Sequence, residues 1–233
     1  IYEGIKAYKQ ALIYYQKAEM YTHVAELYWA LAQLYDQVGE FQESSGYYEL
    51  ASKAYDVACK KIPQLKDFYD DYSLYMQAWS EIELAQYNHS RENYLQAKIN
   101  YEKAAALHQK LDDWNYLSPN YFAWAKMEQA EECSRTEKPK EAIEKFQEAI
   151  EHFNKTESNI KNKINENPTA EENDLMTRIL KASCIRQRYC QARILMEEAK
   201  LLDREGKFLD SSTKYREASH KISAIVDEID NDV

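Results

Sequence analysis

The chain has 233 residues, 45% of them hydrophobic and 30% charged, which is enough to bury a sizeable core. Its net charge of −10 repels a phosphate backbone, and no apolar run approaches the ~18 residues a membrane span needs, so neither nucleic-acid binding nor a spanning segment is expected. Four glycines and four prolines, where average usage gives roughly 16 and 12, leave little turn chemistry; nothing alternates like a strand, and the chain reads as all-α.

Residues 1–18 carry the stripe Tyr8, Ala11, Tyr15 and read as a lone helix whose partner precedes residue 1. Tyr21–Val38 follows, with Tyr28, Leu31, Ala32 and Tyr35 on one face. Gly39 is its stop, because a left-handed residue is cheap only for glycine. Phe41–Lys61 is the answering helix, and Pro63 marks its end or the next start. Gln64–Asn88 is a long aromatic helix and 90–111 its return; 112–118 reads as a loop, with Ser118-Pro119 as N-cap and first residue of the next helix. Pro119–Arg135 pairs with Lys138–Lys163. The polar run 162–169, containing Pro168, is a candidate flexible loop within one continuous domain. A helix from Thr169 or Ala170 to Arg204 pairs with Phe208–Asp230, for about nine helices in all, and the final Asp-Asn-Asp is expected to fray.

A small residue, an aromatic four later and alanine three after that recur five times. The instances are Ala11-Tyr15-Ala18, Ser44-Tyr48-Ala51, Ala97-Tyr101-Ala104, Ala142-Phe146-Ala149 and Ser211-Tyr215-Ala218. Twelve residues before the last four stand Ala32, Ala85, Ala130 and Ala199. A fixed offset across a short turn implies one antiparallel hairpin geometry used four times, with small residues where the helix axes come closest.

These residues resemble the tetratricopeptide repeat, most closely from Tyr28 through Gly39 and Phe41 to Ala51, and again at Leu195, Ala199, Leu202, Gly206, Phe208, Ser211, Tyr215 and Ala218. Glu81 and Lys126 depart from it by standing where that family has a large apolar residue, and its regular 34-residue period is not kept. The long helices are similar in style to the soluble NSF attachment proteins. The resemblance implies a right-handed superhelical solenoid of antiparallel helix pairs whose first helices line a concave groove. It places Trp29, Ile82, Met127 and Met196 at the fifth position of each repeat. Trp79, Trp124 and Arg193 fall at the second, and Gln33, Gln86 and Glu131 at the ninth. Such a groove would take a peptide or helix of a partner; the competing reading buries the same aromatic stripe as core. The family's clamp for a terminal carboxylate is not implied, since Trp29, Gln33, Glu83, Trp124 and Glu128 occupy its positions.

No glycine-rich phosphate loop, paired metal-ligand histidines or nucleophile motif is legible, so neither catalysis, a cofactor nor a metal is expected. Cys59, Cys133, Cys184 and Cys190 lack metal or redox spacing and read as buried, reduced thiols of a cytoplasmic protein. The leading expectation is a non-catalytic interaction scaffold, with a homodimer through residues 1–20 covering the lone helix. The alternatives are the sensor or regulatory part of a larger enzyme and an acidic adaptor of the 14-3-3 type. Arg186, Arg188 and Tyr189 match the latter's phosphate-binding constellation poorly.

Overall fold

The computed structural model describes residues 1–165 and 168–231, and among these every regular element is helical. The described residues form nine α-helices in order: α1 Tyr2–Lys17, α2 Tyr21–Gln37, α3 Phe41–Lys61, α4 Lys66–Ser90, α5 Tyr94–His108, α6 Ser118–Arg135, α7 Pro139–Ile164, α8 Ala170–Arg204 and α9 Phe208–Asn231. Single 3-10 turns, Pro63–Leu65 and Asn115–Leu117, precede α4 and α6. Two compact units divide the chain, Ile1–Asn115 and the part from Tyr116 onward.

Five connections share one turn. Glu19, Gly39, Glu92, Glu137 and Gly206 take φ of 54°, 78°, 57°, 59° and 75°. The next residue in each case donates its N–H to the carbonyl five positions back: Met20 to Tyr15, Glu40 to Tyr35, Asn93 to Asn88, Lys138 to Cys133 and Lys207 to Leu202, at 2.9–3.0 Å. This is the Schellman closure, which satisfies helix-end carbonyls by turning one residue left-handed. Around four of these turns the coupled small residues (Ala32 and Ser44, Ala85 and Ala97, Ala130 and Ala142, Ala199 and Ser211) are all 0–1% exposed, and the Ser44 hydroxyl donates to the Ala32 carbonyl at 2.9 Å. The 90–111 helix expected from sequence is corrected here: α4 runs on to Ser90 and α5 starts at Tyr94. A glutamate rather than a glycine holds the left-handed position, so the turn leaves no compositional mark. A non-glycine there costs ~1–2 kcal/mol, partly offset by glycine's larger entropy loss. Glu92→Gly is therefore expected to raise stability by ~0.5–1 kcal/mol, read from the urea midpoint; a loss would mean that the Glu92 side chain itself holds the turn.

Contact register gives the direction of the helices. Ser45 meets Ser80, and seven residues further along α3 Ser52 meets Ser73, seven residues back on α4, both at 2.9 Å, so α3 and α4 are antiparallel. On α6 and α8 the partners advance together. Ser183 donates to Asn120 at 3.3 Å, and fourteen residues on in both helices Ser134 donates to Glu197 at 2.6 Å. Those two helices are parallel, as are α2 and α4, where Thr22 meets Tyr69 and Trp29 meets Tyr75. Within each unit, successive helices alternate direction and first helices run side by side.

The two positions that break the repeat pattern are held by charge. Glu81 accepts from Asn100 at 2.5 Å and Lys103 at 3.2 Å, while Lys126 reaches Glu148 at 2.6 Å. The pair keeps its place in both hairpins and swaps its signs. Between α7 and α8, positions 166 and 167 of the loop expected over 162–169 lie outside the described residues. Beyond them Thr169 caps α8, its hydroxyl accepting from the Glu172 N–H at 3.3 Å and its own N–H donating to Glu172 at 2.8 Å. The fraying expected at residues 230–232 falls partly on Asp232, also outside them; α9 continues to Asn231.

Candidate functional site

In the first unit, Trp29 and Trp79 belong to one aromatic cluster. Trp29 sits edge-on to Tyr75 (6.1 Å between centroids) and near Tyr72 (6.3 Å); Trp79 is edge-on to Tyr75 (6.1 Å) and stacks on Tyr48 (6.0 Å). Both tryptophans keep partial exposure. Trp114, from the stretch that reads as a plain loop, stacks on Tyr75 at 4.5 Å, and the same Tyr75 ring meets His108, which is fully buried, at 5.7 Å. Burial holds the imidazole neutral, with its pKa lowered to about 3. Of the remaining residues of this unit expected to line a groove, Gln33 is exposed, Gln86 half-buried, and Ile82 a core residue at 4%.

In the second unit, Met127 (1% exposed) lies in the core with Ala123, Phe146, Phe153 and Cys190, and Trp124 packs against that core while Arg186 covers its ring at 4.4 Å. The expected placement of Ile82, Met127 and Glu131 on an open groove is thus corrected: packing between neighbouring helices leaves them 4%, 1% and 6% exposed. Glu131 and Arg193 are brought together, but onto each other. Arg193 reaches Glu131 at 2.8 Å and the Ser134 hydroxyl at 2.9 Å, Tyr189 donates to Glu131 at 2.7 Å, and Lys200 joins Glu197 at 2.9 Å. Met196 stays half-exposed beside α9. The basic residues of α8 are likewise engaged: Arg178 with Asp174 (2.9 Å), Arg188 with Glu228 (2.5 Å) and Arg186 over Trp124. Cys190 is buried, which drives its thiol up to about 12 and leaves it inert, whereas Cys59 and Cys133 are only half-buried and Cys184, expected inside, is exposed.

The sequence reading misses two features. A polar trough of about 590 Å³ lies over α4 between α3 and α5, floored by Ser45, Ser52, Gln77 and Ser80 and rimmed by Glu49, Asp56 and Glu81. Its legible signal is two serine pairs seven apart, on α3 and on α4, which the antiparallel register sets face to face. The other is Glu83, 1% exposed within the first unit's helix packing. Burial, with the charge of Asp36 adding to it, raises its carboxyl to about 8. Because the Ser44 proton is committed to Ala32, the protonated acid can donate to the Ser44 oxygen.

A folded pKa above the unfolded value near 4.5 means that Glu83's contribution is fully present below about pH 4.5 and is lost as pH rises through about 8. Glu83→Gln, whose amide stays neutral and can still donate, is expected to flatten that part of the stability–pH curve and gain on the wild type from pH 5 to pH 9. Parallel curves from urea unfolding across this range would mean the carboxyl is not the titrating group.

Among the described residues no helix is long and apolar enough to cross a membrane, and no cluster of three or more histidine, cysteine, aspartate or glutamate side chains is arranged to hold a metal ion. Comparison with models of known protein families and with curated proteins found no match in either.

Proposed function

We propose that this chain is a non-catalytic protein-interaction scaffold of the tetratricopeptide kind. Its helix pairs stack as a right-handed superhelical solenoid that receives a peptide or helix of a partner protein along its first helices. The observation that supports the reading is register: α2 and α4 run parallel, as do α6 and α8, so equivalent side chains of the first helices fall in rows. The rows offer Trp29, Gln33, Trp79 and Gln86 from the first unit and Trp124 and Met196 from the second, all at least partly exposed. Half-exposed tryptophans are what partner segments bury at interaction hot spots. Four free thiols fit a reducing, cytoplasmic setting. The exposed Tyr2, Ile13 and Tyr14 of α1 fit a second copy covering that helix.

Selection of peptides from a displayed library tests the reading. Binders should lose roughly tenfold or more in affinity on Trp124→Ala or on Trp29→Ala with Gln33→Ala, in variants whose thermal unfolding shows an intact fold. Binders indifferent to all these positions would remove the groove. Sedimentation of protein lacking residues 1–20 tests the dimer, which should dissociate.

A further inference from the structure

The second unit contains the same apolar stripe twice, once covered and once open. On α7, Phe146, Phe153 and Ile160 are 0% exposed, held between α6 and α8. The equivalent positions of α9 carry Tyr215, Ile222 and Ile229, and there, among the described residues, α8 is the helix that packs closely on the stripe. Tyr215 is 37% and Ile229 44% exposed, although the α8-facing Ser211, Ala218 and Ile225 of the same helix are 1–6%. Beside Tyr215, Met196 and Ile222 line a mainly apolar groove of about 350 Å³.

The covered copy shows what fits. Over α7 the cover is an amphipathic helix, α8, which lays Arg193 over the Phe146 ring at 5.5 Å and brings Arg193 and Lys200 to Ser134 at 2.9 and 3.1 Å. In the open copy the position of Ser134 is taken by Asp203, an exposed carboxylate close enough to act on Tyr215. The point that Arg193 and Lys200 share at Ser134 has gained a negative charge, while Glu131, the other partner of Arg193, is replaced in the open copy by Lys200.

We propose that the open face of the α8–α9 hairpin docks an amphipathic helix of a partner protein, packing on Tyr215, Ile222 and Ile229 with a basic side chain set against Asp203. This rests on the interaction-scaffold reading and extends it to a surface on α9, which meets the first-helix row at Met196. Apolar surface on one helix face with a charge at its edge is the recognition pattern of helix-in-groove partners.

The probe is a labelled synthetic peptide with the sequence of residues 176–204, the helix that covers the equivalent stripe, added to the whole protein. Binding should be saturable, and should weaken roughly tenfold or more in Ile222→Asp and in Asp203→Lys, the loss expected of one hot-spot contact. Asp203→Lys changes only an exposed side chain, so it keeps the test valid if Ile222→Asp unfolds. Reversing the charges of the peptide's residues 193 and 200 should weaken binding to the wild type and restore it to Asp203→Lys. Absence of binding, or binding unchanged by both variants, overturns the proposal. A protein dimer that Ile229→Asp dissociates also overturns it, since a second copy then covers the face. Failure here alongside tryptophan-dependent peptide binding removes this surface and leaves the scaffold reading standing.

Discussion

Arg193→Met is expected to cost ~3–5 kcal/mol of stability, because it strands buried carboxylates on two helices at once. The Glu131 side chain is 8% exposed and that of Glu197 1%, and the guanidinium lies 2.8 Å from the first and 3.8 Å from the second. Methionine keeps the apolar reach over Phe146, so the loss would report charge rather than packing. Lys200 still reaches Glu197 at 2.9 Å and Tyr189 still donates to Glu131 at 2.7 Å, which places the effect toward the lower end. Adding Glu131→Gln should recover part of the loss, since a neutral amide strands no charge. Urea unfolding of the single and double variants decides it. A cost below ~1 kcal/mol for Arg193→Met would mean that water screens the network as it does a surface pair. Breaking such a pair is costly even where the intact pair adds little net stability.

Phe146→Ala and Tyr215→Ala should differ widely although they remove equivalent rings. Phe146 is fully enclosed, so truncation leaves a cavity and is expected to cost ~3–5 kcal/mol. Tyr215 is 37% exposed, and its loss should cost only ~1 kcal/mol, near the typical value for point substitutions. Thermal unfolding of the two variants measures the difference that a covering helix makes. Equal losses would show that α9 is buried in solution and that its open face has already found a cover.

Much of this architecture is legible in the chain. Alanines or serines twelve apart mark the close approach of each hairpin because no larger side chain fits there, and Gly39 and Gly206 announce their turns. Glu19, Glu92 and Glu137 do not, because a left-handed glutamate leaves no compositional trace; the start of α5 is displaced for that reason. The residues expected to line a groove divide along a physical line. Sequence position fixes which side of a helix Ile82, Met127 and Glu131 occupy, but how deeply they are buried depends on how closely the next helix approaches. Arg193 and Glu131 lie 62 positions apart, and only the parallel register of α6 and α8 makes them partners. Trp114 carries no periodic signal, and its place follows from the Tyr75 ring it stacks on.

The recurring left-handed turn has a consequence for how the chain tolerates change in length. Its geometry locks the residues on either side of it, from seven before to five after, whichever residue holds the left-handed position. Helices of 15 to 35 residues have accordingly been fitted to one hairpin template. Extra residues are absorbed at the far ends, around 62–66 and 109–117, where the described residues carry no such lock. Whole helical turns inserted there should leave every hairpin seam in register, whereas a single residue added beside Gly39 or Glu137 would rotate one helix by about 100° and carry its buried stripe out of the seam. The hairpin behaves as a hinge pin of fixed bore with leaves cut to any length.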